Sequence, residues 1–343
     1  MVDITVRGAG IFGLSIAWAC AQRGASVQVI DPNGAASGSS GGIVGALAPH
    51  VPENWNAKKA FQLDSLLMAQ AFWVEVEQAG GGASGYARTG RLQPIADDAA
   101  LGLARTRAGT AAPLWQHRAE WQVIPAPDVA FAPISPTGWV IHDTLSALVH
   151  PRQACDALVK ALQTKGIQIA TQGTDQGRTL WATGAQGLDE MTANHHRLIG
   201  AGLKGQAALL AHAAPGAPQL FAGGVHIIPH SDGTTAIGST SERYYDDPTS
   251  TDAQLDDVIS IARAAVPALA GAPVIGRWAG LRPRSRSRAP MLGPWPDRPG
   301  HYIANGGFKI GFGMAPKVAQ VMAALLLDDN DTIPDGFRVE DNL

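Results

Sequence analysis

Apolar positions along the chain fall into short blocks whose spacing alternates between the two-residue and 3.6-residue periods. Residues 3–7 read as a strand, 11–23 as a helix and 26–31 as a second strand. A longer helix is predicted over 57–79, where Phe61, Leu63, Leu66, Leu67, Ala71, Phe72 and Val76 recur at helical spacing, and Gly80-Gly81-Gly82 ends it. Residues 86–141 carry many prolines and read as strand and turn. Pro151 suits the first turn of a helix running to Lys165. A strand at 166–170 follows, then the apolar segment Leu180-Trp181-Ala182 ending at Thr183-Gly184. The stretch 203–280 is again strand-rich, with Gly223–Pro229 and Thr235–Thr240 joined at Ser231-Asp232-Gly233. An amphipathic helix is predicted over 252–266. After 300 come a strand at Tyr302-Ile303-Ala304, a glycine-rich turn and a helix over 313–327. There is no internal repeat.

The pattern predicts two domains: an α/β domain assembled from separate segments, and a mostly β domain inserted between them. At 343 residues the chain can bury a large core. The formal charge of −3 gives no global attraction to nucleic acid or anionic membrane. Cys20 and Cys155, the two cysteines, fit neither a disulfide framework nor a metal motif. Cys20 lies on the apolar first helix and reads as a small buried hydrophobe. The ten histidines, including His195-His196, show no metal-ligand spacing, so no metal is expected. No signal peptide or membrane-spanning run is apparent, and a cytoplasmic protein is expected.

The most specific chemistry sits at the start. Gly8-Ala9-Gly10-Ile11-Phe12-Gly13 has the spacing G-x-G-x-x-G between a predicted strand and helix, and Val29-Ile30-Asp31 ends the next strand. Gly8 allows the tight turn, Gly10 lets a pyrophosphate approach the backbone, and Gly13 lets helix and strand pack closely. The helix directs free N–H groups at the phosphates, and Asp31 can accept a ribose hydroxyl. The chain then enters Gly34–Gly45, rich in Gly and Ser, which suits a backbone lying against a flat ring.

Trp278-Ala279-Gly280-Leu281-Arg282-Pro283 and Asn305-Gly306-Gly307-Phe308-Lys309-Ile310-Gly311 form a second constellation. With the fingerprint, the Ala35–Ala46 loop, Ala182-Thr183-Gly184, Leu203-Lys204-Gly205-Gln206, His226–Pro229, Gly238-Ser239-Thr240 and Gly307–Pro316, in that order, the chain resembles the D-amino-acid oxidase family of flavoproteins, particularly its glycine-oxidase branch. The resemblance implies FAD as cofactor and an α/β fold in which a doubly wound, Rossmann-like FAD-binding domain carries an inserted, mainly antiparallel β substrate domain. It implies an FAD-binding domain over 1–50, 142–205 and 282–343, and a substrate-binding domain over 51–141 and 206–281. It assigns to the cofactor Gly8, Gly10, Ile11, Phe12, Gly13, Asp31, Pro32, Ser39, Ser40, Gly41, Gly42, Ile43, Gly45, Thr183, Gly184, Gly307, Phe308, Lys309, Ile310 and Gly311. Arg282 falls where the family holds the substrate carboxylate, a role that a guanidinium fills with two parallel hydrogen bonds. Spacing of two along a strand would put Arg282, Arg284, Arg286 and Arg288 on one face. Lys309 falls where glycine-oxidase relatives carry a second arginine and where the sarcosine-oxidase family has a carboxylate-binding lysine. The helix after that turn would place its positive end at the pyrimidine side of the flavin.

The departures are equally specific. His226 replaces a tyrosine of the glycine-oxidase branch, and a histidine there could titrate near neutral pH. Ala236 stands where sarcosine oxidases have a lysine implicated in oxygen activation. No cysteine lies near Arg282, so the FAD should be non-covalent. Arg7 occupies a usually apolar position. The resemblance implies an oxidoreductase that oxidises the C–N bond of a small amino acid or of a carboxylate-bearing secondary amine. O2 or another electron acceptor would take the electrons, with Arg282, Lys309 and His226 at the reacting centre. Alternatives are an FAD-dependent dehydrogenase passing electrons to a carrier, and an enzyme acting on carboxymethylaminomethyl-uridine in tRNA. The last is suggested by a similarity to the flavin domain of bacterial tRNA wobble-uridine modification enzymes, but net negative charge weighs against nucleic acid. A flavin-binding module without turnover would hold a flavin that no amine reduces.

Overall fold

In the computed structural model, which describes residues 2–343, the first strand, Ile4–Arg7, lies inside a six-stranded sheet. The order across this sheet is Met291–Pro294, His301–Asn305, Arg178–Trp181, Ile4–Arg7, Val27–Ile30 and Ile169–Ala170. All neighbours are parallel except the first pair. Parallel neighbours need crossovers, and helix Ile11–Gln22 supplies the one between the first two strands. That helix is apolar on every side because it is buried on nearly every side. It packs against helices Pro151–Thr164 and Gly311–Asp328, and the latter packs on helix Ala57–Gly80. Asn56 caps Ala57–Gly80 by accepting the Lys59 N–H, and Gly81 ends it in the left-handed conformation at φ 66°. No helix among the described residues is long and apolar enough to cross a membrane.

The second sheet has eight strands in the order Val274–Ser285, Gly200–Leu210, Thr235–Gly238, Val225–Pro229, Gln219–Ala222, Arg91–Pro94, Trp139–Asp143 and Trp121–Pro125. Neighbours are antiparallel except Gln219–Ala222 beside Arg91–Pro94. Side chains alternate between its faces. Leu92, Val140, Ala208, Leu220, Ile227 and Ile237 point to one face, where Leu255, Val258, Ile259 and Ala262 of helix Ala253–Ala265 cover them. Each of the Leu, Ile and Val side chains among them contributes about 1.5–3 kcal/mol when fully buried. The opposite face looks towards the glycine-rich loops.

Several expectations need correction. Residues 86–141 contain a helix, Asp98–Leu114, capped by Asp97. Its buried contacts are only Leu101, Ala104 and Ala111, and two glycines and Pro113 mask the period. A second unexpected helix, Gly184–Ala193, buries Leu188 and Met191 against Ile199, Met291 and Ile303. The boundaries expected at 141/142, 205/206 and 281/282 all fall inside strands of the eight-stranded sheet. The arginine run does not share one face: the strand ends at Ser285, and Arg286 and Arg288 sit exposed in the following turn. Arg7, at a strand end, pairs with Asp175 at 2.7 Å and donates to the Gly173 carbonyl.

Candidate active site

The first glycine loop is shaped by its own backbone. Gly8 has φ +102°, and a Cβ there would come within 2.4 Å of the Ala182 carbonyl oxygen. A Cβ on Gly13 would lie 1.9 Å from the Gly8 oxygen, so any side chain would push the helix off the strand. The Asp31 carboxylate accepts the Ala9 N–H at 2.8 Å and the Asn33 N–H at 2.9 Å. It braces the loop while each oxygen keeps a free lone pair for a ligand hydroxyl; Pro32 follows, exposed. Ser40, in the short helical turn Ser39–Gly41, accepts the Ile11 N–H at 2.9 Å. The Phe12 and Gly13 N–H groups, at the uncapped start of the helix, have no protein acceptor among the described residues. Two free donors at a helix N-terminus, with Gly10 facing only the Ser40 side chain, fit a diphosphate.

Other predicted residues assemble around this point, in two roles. Gly307 lies on the Phe12 ring, where a Cβ would be 3.0 Å from Cζ, and Gly311 is beside Ile11. These contacts bring the uncapped start of helix Gly311–Asp328 next to that of Ile11–Gln22. The Phe308 N–H donates to the Pro283 carbonyl at 2.9 Å, tying the turn to the Arg282 strand. Thr183 and Gly184 open helix Gly184–Ala193, whose first carbonyl accepts from Asn305 Nδ2. By contrast, Gly41 and Gly45 are required by close backbone approach to the Ala36 and Val149 carbonyl oxygens. Ile43 is a packing residue, buried with Leu148, Ala207, Ile228 and Ala236.

The loop settles onto the open face of the eight-stranded sheet, where glycines leave room. A Cβ at Gly238 would be 2.9 Å from Val44, and one at Gly42 would be 3.3 Å from the Trp278 ring. Strand register places His226, Gly238, Ala207, Gly205, Trp278 and Arg282 on this face. The Arg282 guanidinium lies over Gly205 and donates to the Thr240 carbonyl at 3.2 Å. Among the described residues it forms no ion pair. Burial lowers its pKa to about 10, against the opposing pull of the Glu242 carboxylate, so it stays charged. Lys309 is exposed, its Nζ over the Phe308 ring; burial of part of its stem and the charge of Arg282 lower its pKa.

His226 lies against Phe221 with the rings tilted by 45° and their centroids 4.7 Å apart, and its Nδ1 is buried without a partner among the described residues. Burial first, then the positive charges of Arg91, Lys309 and Arg282, push its pKa down to about 3. The expectation that it titrates near neutral pH is therefore corrected: the ring is neutral there. Arg282 and Lys309 thus lie close enough to act electrostatically on His226.

Sequence reasoning missed three contributors. Arg91 is buried, paired with Asp143 at 3.0 Å, and acts on His226. Trp278 fills the space above Gly280 and beneath Gly42. Glu242 joins Gln206 and Thr240 behind Arg282 in a buried polar network. Only Trp278 left a signal, as part of the quoted motif; the others depend on strand pairing.

Comparison with known proteins agrees with this geometry. A family model described as "FAD dependent oxidoreductase" matches residues 3–325. Glycine oxidase from Pseudomonas putida is 28% identical over 361 aligned positions, covering 94% of each chain. Among solved structures, iminodiacetate oxidase from Chelativorans sp. BNC1 superposes with a TM-score of 0.86 at 19% identity, covering 98% of each chain. Glycine oxidase from Geobacillus kaustophilus gives 0.83 at 19% identity, again covering 98% of each chain. With a glycine cradle and free helix-start amides that fit a dinucleotide, and a match along most of its length, this chain belongs to the FAD-dependent oxidoreductase family of the D-amino-acid oxidase type and uses FAD.

Proposed function

We propose that the protein oxidises the C–N bond of a small amino acid or secondary amine carrying a carboxylate, yielding an imine that water hydrolyses. The observation that carries this reading is Arg282: a charged, half-buried guanidinium with no ion pair among the described residues, on the sheet face that the Gly34–Gly45 loop covers. A desolvated cation of this kind is complementary to a carboxylate and would hold it through parallel hydrogen bonds. Lys309 adds a second positive charge from the opposite turn, as a point charge without the planar fork. The neutral His226 ring offers its unpartnered nitrogen to a substrate N–H or C–O group without adding charge.

FAD, when bound, accepts the hydride from the carbon beside the nitrogen and passes the two electrons to O2, giving hydrogen peroxide. The chain's own task is positioning. Ser40, Phe12 and Gly13 hold the diphosphate end and Asp31 the ribose. Trp278 and the Gly42 backbone exclude water above the sheet. The uncapped amides at Gly311–Gly313 supply partial positive charge near the turn, which favours negative charge developing there. The names of the compared proteins, glycine oxidase and iminodiacetate oxidase, favour substrates in which the oxidised carbon lies between nitrogen and carboxylate.

A dehydrogenase reading draws on one observation. Ala236, fully buried, stands where the sarcosine-oxidase resemblance has an oxygen-activating lysine. Anaerobic addition of glycine, sarcosine, iminodiacetate and proline to the FAD-loaded protein tests both. Bleaching of the flavin band by a compound of this set supports the amine-oxidising function, and admission of air then separates the acceptors. Fast reoxidation with stoichiometric peroxide supports an oxidase, and a reduced flavin that persists in air but is rapidly reoxidised by an added quinone supports a dehydrogenase. A flavin that none of these compounds bleaches rejects the proposed substrate class.

A further inference from the structure

At the far end of the strand that carries His226, three side chains from distant segments converge. His150 is the N-cap of helix Pro151–Thr164, and His230 and Asp232 belong to the hairpin turn after Val225–Pro229. One ligand atom from each lies within 4.8 Å of the others. His150 Nε2 and Asp232 Oδ2 are 3.5 Å apart, and the two imidazole centroids are 4.4 Å apart. Tetrahedral coordination with bonds of about 2.0–2.1 Å spaces its ligand atoms about 3.4 Å apart. One pair already has that spacing, and small side-chain rotations bring in the third.

A second observation points to a ligand. His230 is 1% exposed, yet its Nε2 has no hydrogen-bond partner. Thr234 explains which nitrogen is bare. Its hydroxyl donates to Asp232 Oδ1 at 2.7 Å, and its backbone N–H donates to the same oxygen at 3.0 Å. The hydroxyl is then free only to accept, and it lies 3.3 Å from His230 Nδ1. The proton therefore sits on Nδ1, which leaves the buried Nε2 with a lone pair free for a ligand. Thr234 thus orients two of the three groups at once and leaves Asp232 Oδ2 available, the arrangement that fixes ligands from behind in metal sites.

We propose that His150, His230 and Asp232 bind one divalent first-row transition cation, with Zn2+ the best fit and water completing the shell. Two imidazoles and one carboxylate favour such a cation over Mg2+ or Ca2+, which prefer oxygen ligands alone. His150 must present Nε2. Its Nδ1 now accepts a long hydrogen bond from the Gln153 N–H at 3.4 Å. On metal binding the ring proton moves to Nδ1 through solvent and that bond is given up, with no net change in protonation.

The site is structural. His230 lies four residues from His226, about 13 Å at the rise of a strand. His150 follows Val149, whose N–H donates to the Gly45 carbonyl of the cofactor loop at 3.0 Å. The cation would clasp the helix layer of the six-stranded sheet to the hairpin of the eight-stranded sheet.

The test uses the full, FAD-loaded chain after chelator treatment, with Zn2+ content and affinity measured by elemental analysis and calorimetry. The expected result is one Zn2+ per chain, undisturbed by Mg2+ and accompanied by a rise in Tm. His230→Gln and Asp232→Asn should each weaken binding by about a hundredfold or more and abolish the rise in Tm, and His196→Gln, in an exposed histidine pair elsewhere, should change neither. Should His230→Gln not fold, Asp232→Asn, in a half-exposed turn, carries the test. No bound Zn2+ in the parent protein, or equal binding in Asp232→Asn, overturns the proposal.

Discussion

The Arg282 guanidinium rests on the bare backbone of Gly205: a Cβ at Gly205 would come within 1.6 Å of Nη1. The glycine is a seat for a flexible side chain rather than a demand of the fold. Gly205→Ala should therefore cost little stability, about 1 kcal/mol or less, because the guanidinium can swing aside. Displacing the guanidinium should nevertheless lower kcat/KM roughly tenfold to a hundredfold, the scale of a hydrogen bond to a charged group. Steady-state kinetics beside a melting curve measures both. A large loss of Tm with intact kcat/KM would show that Gly205 serves the sheet and not the arginine.

Two glycines of the first loop should fail in different ways. Gly13→Ala forces a Cβ to 1.9 Å from a backbone oxygen, so the first helix cannot dock and the protein should not fold. Gly10→Ala meets only the Ser40 side chain, at 3.1 Å, which can yield. The Gly10→Ala apoprotein should keep its Tm but bind FAD at least tenfold more weakly, since the methyl group occupies the approach of the diphosphate. Flavin fluorescence titration with thermal melting separates these outcomes.

The acid limb of the stability curve should carry the signature of His226. Its ordinary pKa of 6.5 falls to about 3 in the folded chain. Between those values the unfolded chain takes up a proton that the folded chain refuses, so stability falls as the pH drops from about 6.5 towards 3. Above 6.5 the group contributes no slope. His226→Gln should make this limb less steep without abolishing it, because His230, whose pKa burial lowers to about 4, contributes in the same direction; denaturant titrations at stepped pH measure the change. The Arg91, Arg282 and Lys309 cations facing it all oppose a positive charge on the ring. An unaltered limb would mean the ring is not held neutral.

Both thiols should be silent in the native state. Cys20 and Cys155 are fully buried; burial pushes Cys20 up to about 12 and Cys155 still higher. A thiol reagent should titrate neither before unfolding and both afterwards. Rapid native labelling of either would indicate opening of the helix layer beside the cofactor loop.

The elements that could be read from sequence alone were those whose reasons are local. Gly8, Gly10 and Gly13 announce a strand–turn–helix because only glycine fits such backbone approaches, and Asp31 closes the unit at fixed distance. The helices at 57–80, 151–164 and 253–265 show an apolar stripe or a clear cap. Helix Asp98–Leu114 was hidden because it buries little and Gly102, Gly109, Arg105 and Arg107 interrupt its apolar spacing. The arginine run misled because periodicity says which face a residue takes only while the strand lasts, and this strand stops at Ser285.

The sequence by itself determined the nucleotide fold with its glycine loop, and it singled out Arg282 and Lys309. Those features follow from spacing within short segments and from motif order. Only the tertiary structure decided what surrounds them. Strand pairing brought Arg91 beside His226 and made that ring neutral, set Arg282 on Gly205, and drew His150 to His230 and Asp232 across about eighty residues of chain. Charge and desolvation act through space, so a pKa or a convergent ligand set depends on neighbours that no local pattern names.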